Sequence, residues 1–178
     1  MKVTINLFYF LPLMLAMSCN KEKLSEETIP TFEGITRLES EDGEPYSIDP
    51  TDWRIDNKFT ELERSLFDTL KFDNPMFLKS TLSNTNGIPE VKRSPCFYPN
   101  PANSLAYFSV YDGTIKNIVI VDQNFEKKIE LREQASHFRF DLSSFKNGIY
   151  RMYYVLQDSN YKIIGLGHGD IQVDHYQY

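Results

Sequence analysis

From Leu105 to the C-terminus, apolar and polar residues alternate in short bursts separated by turn residues. Ala106, Phe108 and Val110 share one face of Leu105–Tyr111, with Tyr107 and Ser109 on the other. A period of two predicts a half-buried strand. Asp112-Gly113 then supplies a turn. Ile115–Val121 is apolar on both faces, the pattern of a central strand, and Asp122-Gln123-Asn124 turns the chain into Lys127–Leu131. His137–Leu142 alternates again. Ser143–Gly148 is polar apart from Phe145 and ends in Asn147-Gly148, a pair suited to positive φ. Ile149–Gln157, dense in Tyr and Val, is a long strand. Asp158-Ser159-Asn160 turns it into a last strand, Tyr161–Val173, where Gly165, Gly167 and Gly169 suggest a bulge or a close backbone approach. Six short strands at regular spacing predict a mainly β fold, an antiparallel β-sandwich over residues 97–178.

Residues 49–96 read as a turn, a short helix and a connecting segment. Asp49-Pro50-Thr51-Asp52-Trp53 is a turn that brings in the only Trp. Thr60-Glu61-Leu62-Glu63 has the form of a capping box, and Leu62, Leu66 and Leu70 recur every four residues beside Phe59 and Phe67. One amphipathic α-helix is expected over Thr60–Leu70, stopped by Asp73-Asn74-Pro75. Phe77–Leu82 alternates briefly, and Asn84-Thr85-Asn86-Gly87 is a strong turn signal. Pro99 and Pro101 fix φ and remove two backbone donors, so Cys96–Ala102 is a stiff ramp belonging at a sheet edge or in a connection.

The N-terminus follows a different pattern. Lys2 precedes an almost wholly apolar Val3–Met17, and small residues lead to Cys19, the three-part form of a cleaved export signal over residues 1–18. The apolar run is about fifteen residues, short of the roughly twenty a spanning helix needs. Leu15-Ala16-Met17-Ser18-Cys19 resembles the lipobox of bacterial lipoproteins, which implies that Cys19 carries lipid and starts the mature chain. Residues 19–48 are acidic and polar and are broken by Pro30, Gly34, Gly43 and Pro45. Such a stretch buries too little apolar surface to offset its ordering entropy, so it is expected to be a flexible tether with a reach near 30 Å.

Composition narrows the chemistry. The net charge is −6, and loss of Lys2 with the signal makes it one more negative. That balance argues against a nucleic-acid partner. The chain has two cysteines, so with Cys19 lipidated Cys96 is left without a disulfide partner and reads as a buried small hydrophobe. The 13 Phe, 11 Tyr and one Trp supply bulk for a core instead.

Candidate chemistry is sparse. His137, His168 and His175 lack metal-ligand spacing, so no metal or other cofactor is expected. Gly165-Leu166-Gly167-His168-Gly169 follows no strand-to-helix switch and reads as a strand irregularity. Asp141, Ser143 and Ser144 near His137 match no nucleophile elbow and fit backbone bonding at a turn. Glu61, Glu63 and Asp68 suit a helix start. Trp53 either stacks on a sugar ring, as a possible ligand contact, or packs the helix onto its domain. No catalytic role is expected.

Three blocks carry a further resemblance. Tyr98-Pro99-Asn100-Pro101-Ala102, then Ile118-Val119-Ile120-Val121-Asp122, then Phe140–Tyr150 with Asn147-Gly148-Ile149-Tyr150 together resemble the C-terminal sorting domain of type IX secretion cargo. The resemblance covers about Phe97–Val173. It implies a small Ig-like sandwich, normally a non-catalytic module read by a secretion machine, with Tyr98, Pro99, Asn100, Pro101, Gly148 and Tyr150 as family-like positions. Phe125 stands where that family usually places a turn glycine, and Asn124 before it is expected to take the left-handed conformation instead. The expected protein is a lipid-anchored, non-catalytic binding or accessory module of the envelope or outer membrane, facing the periplasm or the surface. Its partners are the membrane, through the lipid, and an envelope protein or glycan. The alternatives are a type IX sorting module or a glycan-binding surface lipoprotein.

Overall fold

The computed structural model describes residues 29–32, 34–55, 58–72, 95–110 and 113–175. Cys19 and the signal, the Phe77–Leu82 alternation and the Asn84–Gly87 turn lie outside the described residues. The elements are β1 (Arg54–Ile55), α1 (Glu61–Arg64), β2 (Cys96–Tyr98), β3 (Leu105–Ser109), β4 (Ile115–Val121), β5 (Lys127–Glu133), β6 (His137–Asp141), β7 (Gly148–Gln157) and β8 (Ile163–Val173).

Among the described residues the strands form two antiparallel sheets, one ordered β1-β8-β7-β4-β5 and the other β2-β3-β6. They face each other in the sandwich that the alternation predicts. Ile118, Ile120, Met152, Tyr154, Leu156 and Ile171 of the large sheet pack against Phe97, Ala106, Phe108 and Phe140 of the small one. β4 is buried along its whole length between β7 and β5, as its two-faced apolar sequence requires. β5 forms an edge, and its exposed Lys127, Lys128, Glu130, Arg132 and Glu133 discourage pairing with another chain.

The opposite face of the large sheet is covered too. Val119, Val121, Tyr153, Val155, Ile163 and Leu166 pack under Phe59, Leu66 and Phe67. The capping box forms as expected: Glu63 N–H donates to Thr60 Oγ1 at 3.1 Å, and Thr60 N–H donates to Glu63 Oε2 at 2.8 Å. The helix, however, is one turn long. After Ser65 the bonds become i to i+3, from Leu66 to Glu63 and from Phe67 to Arg64, so the chain tightens into turns. Leu66 and Phe67 in these turns are both buried against the sheet.

Two local expectations are corrected. Phe125 itself adopts the left-handed conformation, at φ 64°, and its half-buried ring meets Tyr153 edge-on at 6.0 Å, a contact that offsets part of the backbone cost. The coil expected over 19–48 does not extend to residues 36–48. Arg37 pairs with Ser47, Leu38 pairs with Asn100, and Leu38 is buried. Backbone bonding to the sandwich supplies the stabilisation that the composition lacks.

Candidate functional site at the Asn100 ramp

The ramp leaves β2 at Tyr98, crosses the gap between the sheets and reaches the far half of β8. There Ala102 N–H donates to Gln172 O at 2.8 Å, and Asp174 N–H to Ala102 O at 2.8 Å. Both X–Pro bonds, at Pro99 and Pro101, are cis. Asn100 between them is 1% exposed and uses both its backbone and its side chain. Its N–H donates to Leu38 O at 2.7 Å and its carbonyl accepts from Leu38 N–H at 3.0 Å. Its Nδ2 donates to Thr36 O and Asp170 O at 2.8 and 2.9 Å, while Oδ1 accepts from Gln172 N–H at 2.9 Å. Asparagine is the side chain that combines two donors with an acceptor at this length. It ties the ramp, the N-terminal arm and β8 into one joint.

Beside this joint lies a buried polar cluster. Arg151 of β7 stands across from Asp170 of β8 and grips it with two bonds, Nε to Oδ1 at 2.6 Å and Nη2 to Oδ2 at 2.8 Å. The guanidinium, bonded to Asp170 along its edge, lies with its Cζ over the Phe32 ring at 4.7 Å. Burial works against the Arg151 charge, yet the bond and charge of Asp170 raise its pKa overall. Burial also pushes the Asp170 carboxyl upward, against the pull of Arg151. Asp52, from the arm, accepts Asp170 N–H and Thr36 N–H, each at 2.8 Å. Burial pushes Asp52 up to about 6, the two N–H bonds resist, and the charges of Asp170 and Asp49 add to the rise.

A second cluster sits on the outer face of the small sheet. Glu41 of the arm accepts from Ser109 Oγ at 2.7 Å, lies 2.7 Å from His137 Nε2 and accepts from Tyr98 Oη at 3.3 Å. Those bonds, Ser109 first and His137 next, hold its carboxyl below the usual range. Burial, aided by the Glu41 charge, pushes the Cys96 thiol up to about 11, so it is a poor nucleophile. His137 also meets Ser136 at 3.0 Å, whereas Ser143 bonds Asp141 in the turn bonding expected of it.

The family-like positions Tyr98, Gly148 and Tyr150 lie in β2 and β7. Tyr98 stacks on Tyr107 with centroids 5.6 Å apart. Gly148 opens β7 opposite Val173, at φ 158°. Tyr150 sets its ring edge-on to Phe145 at 4.8 Å and donates its hydroxyl to Lys146 O at 2.9 Å, like the tyrosine corner of Ig-type sandwiches.

Trp53 is not a surface platform. It is 7% exposed, and its ring packs in the core between the sheets, so no face is left for a sugar. Its neighbours are Phe97 and Phe108, not the helix. The β8 glycines make room for this approach, since a methyl group at Gly169 would strike the Trp53 ring and one at Gly167 would strike Arg54 O and the Tyr154 hydroxyl.

Sequence reasoning passed over Glu41, Asp52, Arg151 and Asp170. The pairing of the last two depends on a bulge between Leu156 and Gln157, which shifts the β7–β8 register by one residue. In the register of Gln157 opposite Ile163, Arg151 would have faced Gly169.

Comparison with curated proteins and with solved structures found no match. Residues 96–164, from the start of β2 to the second residue of β8, match the family described as Secretion system C-terminal sorting domain.

Proposed function

We propose that this chain is an exported, non-catalytic β-sandwich protein of the bacterial envelope or cell surface, and that its C-terminal half is a type IX sorting module. The observation that carries the reading is the family match over residues 96–164. The ramp, Asn100, Gly148 and Tyr150 support it by serving the sandwich itself. In a bacterium that runs type IX secretion, a reporter joined in front of residues 29–178 should reach the surface. The same reporter joined to a chain truncated after Ile164 should remain inside. Equal surface display of the two would refute the sorting role.

Anchoring is the second part of the reading, supported by the signal-like residues 1–18 that end at Cys19. Lipid on that sulfur would hold the protein to the membrane, since two or more acyl chains give stable attachment. Cys19→Ala should release the chain from membrane fractions. Unchanged sedimentation of the variant would count against the anchor.

A further inference from the structure

We propose that residues 34–52 form a proton-operated strap, clamped across the Asn100 ramp and the small sheet in mildly acidic solution and loosened toward neutral and alkaline pH. The strap is held by the Leu38–Asn100 pairing, by Arg37 Nη2 donating to Gln172 Oε1 at 3.3 Å, by Asp52 at its root and by Glu41 at its tip. Asp52 at the root is buried and gains hold from a proton, whereas Glu41 at the tip holds as a carboxylate.

At the root, Asp52 is 6% exposed and takes N–H bonds from β8 and from the strap itself. The charged groups facing it are Asp170, gripped by Arg151 of β7, and Asp49 of the strap. His168 of β8 bears on both Asp49 and Asp170. An ionised Asp52 therefore sets a second buried carboxylate beside Asp170, whose one guanidinium is already committed to it, with the half-buried Asp49 adding to the repulsion. A proton on Asp52 removes that repulsion and the cost of burying its charge. Docking then binds the proton more tightly than the released strap does, so acid favours the docked form.

At the tip, Glu41 faces Ser109 of β3, Tyr98 and Cys96 of β2, and His137 of β6. The contact with His137 is an ion pair only while the imidazole carries a proton. The Glu41 carboxyl is held below its usual range, so the tip is fully fastened above that range and loosens only in stronger acid, leaving Asp52 to set the response between pH 5.0 and 7.5. Release uncovers the backbone of Asn100.

The test is amide hydrogen exchange on the full chain at pH 5.0 and 7.5, with intrinsic rates divided out. Leu38 N–H, bonded to Asn100 O, reports the strap, and the amides of Ile120 and Tyr153 report the core. Leu38 protection should fall at least about tenfold between the two pH values while the core stays constant. Asp52→Asn should abolish the fall. Should that variant not fold, Asp52→Ser, which keeps an oxygen acceptor but no titratable group, should abolish the fall in its place. Leu38 protection that is independent of pH, or that falls in step with the core, would overturn the proposal.

Discussion

The Trp53 ring lies parallel to that of Phe97, with centroids 5.8 Å apart and planes within 6°. One residue belongs to the segment before the family match and the other to its first strand. The sandwich core is thus completed from outside the matched stretch. Trp53→Ala should cost about 3–5 kcal/mol, the range for a large aromatic removed from a packed core. Urea unfolding measures it, and a loss under 1 kcal/mol would mean that the ring is dispensable. A fragment of residues 95–178 alone should unfold without a cooperative transition.

Gly169 and Trp53 should be coupled. Gly169→Ala pushes a methyl into the indole and should destabilise by about 1–3 kcal/mol, as overpacking does. In a double-mutant cycle with Trp53→Leu, much of that loss should vanish, giving a coupling above about 0.5 kcal/mol. Additive losses would show that the two do not touch.

Asn100→Asp replaces two donors with a carboxylate oxygen facing Thr36 O and Asp170 O. A repelled, buried charge should cost about 3 kcal/mol or more. Thermal melts should place this variant below Asn100→Ser, which leaves space but no charge. The reverse order would contradict the bonding described.

Arg151 and Asp170 are 6% and 1% exposed. Asp170→Asn leaves the guanidinium without its counter-charge and should cost about 3–5 kcal/mol relative to the wild type, whereas Arg151→Met combined with Asp170→Leu should lose less than that. Denaturant midpoints of the three proteins decide the point.

Stability should depend on pH through Asp52. Its pKa is raised from 3.8 to about 6 in the fold, so its contribution is complete below about 4 and is lost as pH rises through about 6. The loss is at most about 3 kcal/mol. Subtracting the Asp52→Asn profile from the wild-type urea profile isolates it, and a difference that grows with pH would reverse the sign.

Much of the fold is written locally. Alternation along Leu105–Ser109, the two-faced apolar run of Ile115–Val121, the turns after Val121 and Gln157, and the Thr60–Glu63 capping box each need only a few neighbouring residues, and each formed as expected. Those signals rest on the two-residue pleat and on helix-end geometry, which a short stretch carries complete.

The candidate site was not legible in that way. Asp52 meets Asp170 across 118 residues, Tyr154 reaches Arg54 O across 100, and Ser109 bonds Glu41 across 68. No local pattern distinguishes Asp52 from other turn acids, or Trp53 from a surface aromatic. The amino-acid order determined the strands, their turns and the β class, because backbone geometry and side-chain period act over a few residues. Packing in three dimensions decided that the arm docks, that Trp53 is buried, and that a carboxylate gathers beside Arg151 and Asp170. Burial and charge proximity are properties of the assembled sheets, and the chain has neither until it folds.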